Sequence, residues 1–140
     1  MAWTTRDLTV AEAAQLAGLP RATLDVVIHR AKPMAVLFSE KRGGRRWFSL
    51  RDVTILRIAH DLERAGRTWT VAIAAAFECV ATQPPADALL VMPVGSVSHA
   101  SARVLTGLSG LPCEAGFIVL PIGRIAAEII ERTESKLVAV

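Results

Sequence analysis

Apolar residues recur at helical spacing in the stretch 9–30 and are interrupted once, at Ala17-Gly18-Leu19-Pro20. Thr9 with Glu12 three residues later has the spacing of a capping box, which predicts that a first helix begins at Val10. The glycine suits a turn at positive φ, and the proline suits the first turn of a second helix that ends near residue 30. The pattern therefore predicts two short helices joined by a tight turn.

The second of these helices has one apolar face and one exposed face. Leu24, Val27 and Ile28 recur at i, i+3 and i+4 and are expected to point inward. The opposite face is expected to carry Arg21, Ala22, Asp25 and His29. A second helix held with its N-terminal residues outward is the helix-turn-helix arrangement that enters a DNA major groove. An ordinary helical hairpin inside a core would show the same two helices.

Beyond Arg30 the pattern changes from helical to extended. Two short runs, 35–38 and 45–48, lie on either side of Gly43-Gly44, and this order predicts a β-hairpin. Between Ser39 and Arg46 the chain has four basic residues and one acidic residue. A solvated basic loop is one interpretation. A basic hairpin directly after a helix-turn-helix favours the other, a wing that lies against DNA phosphates.

Two further helices are predicted before residue 80. Ser49 can cap a third helix whose first turn holds Asp52, and Gly66 lies where that helix would end. Thr68 can cap a fourth helix that begins at Trp69. Residues 5–80 are therefore expected to form one compact unit.

The chain past Pro84-Pro85 has a different pattern. Residues 88–92 and 117–120 are apolar runs typical of strands, residues 101–108 are weakly helical, and residues 122–136 form an amphipathic helix. The whole chain is therefore expected to be α+β, with a winged helix-turn-helix bundle followed by a small α/β domain.

The C-terminal segment, 87–140, is expected to be a dimerisation or partner-binding domain, joined to the first unit by a linker at 81–86. Its two or three apolar strands give it a meagre core of its own, and a second copy would cover the exposed edges and apolar faces. The candidate dimerisation residues are Leu90, Phe117, Val119, Ile125, Ile129 and Ile130.

Composition and charge support a folded protein with a basic N-terminal half. Apolar residues make up 52% of the chain and charged residues 21%, so disorder is excluded. Residues 1–80 have twelve Lys and Arg against eight Asp and Glu, whereas residues 81–140 have four against five. The basic half is thus the half with the predicted helix-turn-helix. No signal peptide and no apolar run of membrane-spanning length is present, so a soluble, cytoplasmic and nucleoid-associated protein is expected.

Several segments resemble the MerR-like winged helix-turn-helix family and the related excisionase-type regulators. The resemblance rests on 8–19, on 44–49 with Asp52-Val53, and on 62–66, in the same order as in the family, and it covers a little over half of the chain. It implies a DNA-binding regulator of bacterial or phage type.

The chain departs from that family at three places. The recognition helix opens with Pro20, Arg21 and Ala22 where the family usually has serine, proline and arginine, and Asp25 occupies a position that is usually basic. The proline pair at 84–85 stops the long dimerising helix of MerR proteins. The cysteine cluster of a metal sensor is also missing, because the two cysteines and three histidines are too scattered to bind zinc.

The resulting hypothesis is a sequence-specific regulator, or an excisionase-like architectural factor, that binds double-stranded DNA as a homodimer. The candidates for reading base edges are Arg21, Thr23 and His29. The candidates for binding phosphates are Arg30, Lys41, Arg42, Arg45 and Arg46.

Other functions are less favoured. No cofactor or metal is expected. Ser98-His99 and Cys113-Glu114 have no nucleophile elbow or orienting acid, so no catalysis is expected. The competing hypothesis is a ligand-sensing or protein-adaptor module that uses the C-terminal half and binds DNA weakly or not at all; Asp25 and Ala22 favour it.

Overall fold

The computed structural model describes residues 2–95, 98–111 and 116–138, which form a mixed α+β fold with two small antiparallel sheets. The helices are α1 (Val10–Ala17), α2 (Arg21–Arg30), α3 (Leu50–Arg64), α4 (Trp69–Cys79) and α5 (Ile122–Val138). The strands are β1 (Glu40–Arg42), β2 (Arg45–Trp47), β3 (Leu89–Pro93), β4 (Arg103–Leu105) and β5 (Phe117–Leu120). Short 3₁₀ helices cover Lys32–Leu37 and His99–Ser101.

Capping boxes set the starts of α1 and α3, as the sequence predicts. The Thr9 hydroxyl accepts a hydrogen bond from the Glu12 amide at 3.2 Å, and the Glu12 carboxylate accepts one from the Thr9 amide at 3.1 Å. Ser49 and Asp52 make the same reciprocal pair at 3.0 and 2.8 Å. Each box satisfies two amides that have no partner inside the helix, which stabilises the helix start by about 1 kcal/mol.

The turn between α1 and α2 depends on Gly18, whose φ is 70°. The Leu19 amide donates to the Ala14 carbonyl at 3.0 Å, and the Gly18 amide donates to the Gln15 carbonyl at 3.2 Å. These two bonds form a Schellman motif, in which a left-handed residue closes the helix end. Pro20 precedes the first residue of α2, so the predicted turn is confirmed with the helix one residue later than expected.

The predicted hairpin is confirmed, but its first strand begins later than expected. β1 pairs with β2 in the register Arg42↔Arg45, and both turn glycines have positive φ. The run 35–38, predicted as extended, belongs mainly to the 3₁₀ helix Lys32–Leu37. The strand preference of these residues does not decide their conformation, because the run turns back to bury Phe38 in the core and burial outweighs local preference.

The C-terminal sheet has the order β4-β3-β5, with antiparallel pairing throughout. The two predicted strands and the last helix are confirmed. The expectation of a weak helix over 101–108 is wrong, because β4 pairs with the central strand in the register Val91↔Arg103. Pairing with a buried strand outweighs a weak helical preference in a stretch that also contains Gly107.

A single hydrophobic cluster extends from Leu8 to Ile129 and so includes both halves of the chain. α5 packs against α3 and α1, and it buries Ile122, Ala126 and Ile129. The segment 81–86 therefore connects two parts that share one core. None of the described helices is long and apolar enough to cross a lipid bilayer.

This core corrects two of the candidate dimerisation residues. Leu90 and Ile129 are only 0% and 2% exposed, so both side chains are used inside the chain and cannot contact a second copy. Ile125 and Ile130 are half-buried against the same core. Phe117 is half-buried and Val119 is 38% exposed, so these two remain accessible on the sheet.

Candidate nucleic-acid interface

An open cleft of about 580 Å³ lies between the start of α1, the start of α2 and the β1–β2 hairpin. Its lining consists of Thr9, Val10, Ala11, Arg21, Gly44, Arg45, Arg46 and Trp47. Arg21, predicted to read bases, and Arg45 and Arg46, predicted to bind phosphates, therefore share one surface although 24 or more positions separate them in sequence. The sequence predicts that all three side chains contact DNA, and in the fold all three line the same cleft.

Backbone pairing fixes the hairpin to the start of α1. The Leu8 amide donates to the Phe48 carbonyl at 2.9 Å, and the Phe48 amide donates to the Leu8 carbonyl at 2.8 Å. Leu8 and Phe48 are both buried, so the bridge lies on the core. Because α1 leads directly into the turn and α2, the bridge also sets the distance between the hairpin and α2.

A charged pair beneath the hairpin connects three further segments. Arg6 Nε lies 2.9 Å from Asp52 Oδ2, and Arg6 Nη2 lies 3.3 Å from Asp52 Oδ1. The same guanidinium donates to the Leu37 carbonyl at 3.2 Å. Asp52 is 1% exposed and is also the capping residue of α3. A two-pronged pair of this kind fixes both position and orientation, so it holds the residues before α1, the 3₁₀ helix and α3 together.

Arg42 lies against the hairpin itself and is the least available of the predicted phosphate ligands. Its guanidinium lies 5.0 Å from the centre of the Trp47 ring, a cation–π contact. It also donates to the Arg6 carbonyl and lies 3.4 Å from Asp7 and 3.6 Å from Glu40. Through these contacts Arg42 holds the hairpin against the segment that precedes α1.

The other basic residues of the hairpin are better placed for an external anion. Lys41 and Arg45 are exposed, and neither has an ion pair among the residues that the structure describes. Arg46 is half-buried and donates to the Ser39 hydroxyl at 3.1 Å, which orients its guanidinium without neutralising its charge. The hairpin thus offers three cationic side chains to solvent.

α2 exposes the face that the sequence predicts. Arg21, Ala22, Asp25, Val26 and His29 are exposed and follow one another at helical spacing. Thr23 is half-buried at the edge of this face, so it is less accessible than the sequence suggests.

Arg30, at the end of α2, pairs with Glu63 of α3 at 2.9 Å. Both side chains are partly exposed, and an ion pair of this kind contributes at most about 1 kcal/mol. Arg30 can therefore exchange Glu63 for a phosphate at small cost.

Two arginines from distant parts of the chain hold the turn before α2. Arg57 of α3 donates to the Ala17 carbonyl at 2.8 Å, and Arg132 of α5 donates to the Leu16 carbonyl at 3.3 Å. Positive charge at the last carbonyls of a helix satisfies free acceptors and complements the helix dipole. Sequence reasoning missed Arg6, Arg57 and Arg132, because no local pattern shows which distant carbonyl or carboxylate a surface arginine contacts.

Of the two residue pairs considered for catalysis, Ser98 and His99 lie in the described part of the chain. His99 Nε2 lies 3.2 Å from a Glu78 carboxylate oxygen on the surface. Burial, with a smaller contribution from Glu78, raises the pKa of Cys79 to about 11, so this thiol stays protonated at neutral pH. Cys113 and Glu114 lie outside the described residues, within which no three His, Cys, Asp or Glu side chains come close enough to bind a metal.

A scan of the sequence against protein-family models returned no match, and a search of curated proteins returned no similar sequence. The function is therefore inferred from the residues and geometry of this chain.

Proposed function

We propose that this protein is a sequence-specific regulator, or an excisionase-like architectural factor, that binds double-stranded DNA in the cytoplasm through a winged helix-turn-helix. The supporting observation is the cleft that brings Arg21 of α2 together with Arg45 and Arg46 of the hairpin. A helix with its first residues exposed, beside a basic hairpin, matches the division between base reading and phosphate contact in DNA-binding proteins.

In this proposal α2 lies in the major groove and the hairpin lies on the neighbouring backbone. Arg21, in the first turn of α2, reaches a guanine edge, where an arginine can make two hydrogen bonds. Lys41, Arg45 and Arg46 neutralise phosphates, with the orientation of the hairpin held by Arg42 and by the Leu8–Phe48 bridge. His29 lies two turns after Arg21 on the same face and is the second base-reading candidate.

We further propose that the protein binds as a two-fold dimer through the outer face of the C-terminal sheet. Phe117 and Val119 alternate with the core-facing Ile118 and Leu120 and so lie on that face, where Val119 is 38% exposed. β4 and β5 are the outer strands, and such strands present unpaired backbone groups to a partner. A two-fold pair would place two copies of α2 about 34 Å apart on DNA. Light scattering should then give about twice the 15.0 kDa of one chain.

The competing adaptor hypothesis is favoured by the carboxylate of Asp25 in the middle of the exposed face of α2. Titration of the full chain into a fluorescent random-sequence duplex, at about 50 and about 200 mM salt, distinguishes the regulator hypothesis from the adaptor hypothesis. Each neutralised phosphate releases about 0.9 counterion, so a regulator that neutralises three phosphates per chain should bind about fortyfold more weakly at the higher salt as a single chain and about 1,800-fold more weakly as a two-fold dimer. An adaptor should show no binding at either salt concentration.

A further inference from the structure

Val26 is a large apolar side chain on the exposed face of α2. It is 51% exposed, the most exposed large apolar residue among those that the structure describes. Ala22, one helical turn earlier, is also exposed, so the two form a short apolar strip beside Arg21 and Asp25. Leu24 and Val27 face the core instead.

Val26 contributes little to the stability of the isolated chain. A β-branched residue at an exposed helical position loses side-chain entropy and buries little surface, so a charged or longer side chain would suit the free protein better. Beside the strip lie Arg21 and Arg30, of which Arg30 is paired with Glu63, and the carboxylate of Asp25 repels phosphates. Specific binding through this face therefore needs a favourable contact that is not ionic.

The major groove offers one apolar feature, the 5-methyl group of thymine. We propose that Val26, supported by Ala22, contacts a thymine methyl and so makes the site of this protein thymine-dependent. This proposal rests on the proposed function, since it takes α2 to lie in the major groove. The valine side chain cannot form hydrogen bonds, so Val26 is not among the polar residues first considered for base reading.

Helix geometry gives the position of that thymine relative to the base read by Arg21. Val26 lies five residues after Arg21, which is about 7.5 Å along the helix axis at 1.5 Å per residue. Base pairs are spaced by about 3.4 Å, so a helix running along the groove places the two contacts about two base pairs apart. Each half-site is then expected to contain a thymine about two base pairs from the arginine-bound guanine.

The test removes the 5-methyl group of thymine from the DNA without changing base pairing. The full chain first selects its site from random DNA, and each thymine of that site is then replaced in turn by deoxyuridine. One thymine in each half-site should weaken binding by about fourfold when replaced, the effect expected from burial of one methyl-sized group. For Val26→Ala, the same replacement should weaken binding less than twofold. The control variant Leu108→Ala changes an equally exposed apolar residue in the loop after β4, away from α2, and should retain the full fourfold loss.

Four results would overturn the inference. A selected site without thymine, or a site at which every deoxyuridine replacement is neutral, would show that Val26 does not read DNA even though the protein binds it. A methyl effect that survives in Val26→Ala would assign the contact to another side chain. Failure of the full chain to bind any duplex would contradict the proposed function as well, so the two failures are distinguishable.

Discussion

The hairpin and α2 lie on the same cleft but are built differently. The hairpin is rich in positive charge and is held by many internal contacts, including the Arg42–Trp47 stack and the Leu8–Phe48 bridge. The exposed face of α2 has one arginine, one histidine and one carboxylate, and Arg21 makes no ion pair within the described ranges. Pre-ordered positive charge favours binding to any duplex, whereas sparse and varied side chains favour choice among sequences.

The difference implies a division of labour between affinity and specificity. Changes in the hairpin should act on all DNA sequences alike, and changes on α2 should act on the ratio between the preferred site and random DNA. Affinity and specificity both depend on the contacts below the cleft, because these contacts fix the hairpin relative to α2.

The largest effect is expected when the charged pair below the hairpin is removed. Asp52→Ala deletes the capping carboxylate of α3 and leaves the partly buried Arg6 without its partner, so the free energy of unfolding should fall by about 3 kcal/mol. Urea unfolding followed by tryptophan fluorescence measures this change. Asp61→Ala, in the same helix, removes only the more exposed pair with Arg57 and should cost less than about 1 kcal/mol. Equal losses in both variants would mean that the Arg6–Asp52 pair stabilises the fold no more than an exposed ion pair.

Removal of two positive charges from the hairpin should weaken DNA binding without sequence preference. Arg45→Ala with Arg46→Ala is expected to lower affinity for every duplex by about tenfold or more. It should reduce the salt slope by about 1.8 for each bound chain, because each chain loses two phosphate contacts. The matched double variant Arg64→Ala with Arg124→Ala removes two exposed arginines of α3 and α5, outside the cleft and the C-terminal sheet, and should leave the slope unchanged. An unchanged slope in the hairpin variant would contradict its assignment to phosphates.

Loss of the arginine on α2 should change sequence preference instead. Arg21→Ala is expected to cost about 1–3 kcal/mol on the selected site and much less on random DNA, since a base contact is made only with the correct base. Competition titrations with the two duplexes give both values. The same loss on both duplexes would assign Arg21 to the DNA backbone and remove the contrast between α2 and the hairpin.

The smallest effect is expected from the carboxylate on α2. Asp25→Asn removes one negative charge from the groove-facing surface, and affinity for random duplex DNA should rise by about threefold at low salt because repulsion from phosphates is relieved. Asp87→Asn, an exposed aspartate in the connection before β3, serves as the control and should have no effect. If Asp25→Asn binds no better than the unchanged protein, Asp25 does not face the DNA.

Local signals in the sequence predicted most helix ends and both apolar C-terminal strands, because capping residues, glycines and prolines act within a few positions. The run 35–38 and the segment 101–108 were misassigned because long-range burial of Phe38 and pairing of β4 with β3 outweigh local preference. The candidate site was predictable as a set of residue types, with Arg21, Arg45 and Arg46 in one cleft. The hydrogen bonds of Arg6 to Asp52, of Arg57 to Ala17 and of Arg132 to Leu16 were not predictable, since each joins residues at least 40 positions apart.

The most direct test of the cleft as the DNA-binding surface is to map the contact on the protein. Uniformly ¹⁵N-labelled full chain is titrated with a duplex of about 20 base pairs that contains its selected site, and amide chemical shifts are recorded. The largest changes should occur at residues 21–29 of α2 and 41–46 of the hairpin, with β4 and β5 changing only as far as dimerisation affects them. Changes confined to the C-terminal sheet, with α2 and the hairpin unaffected, would contradict the account.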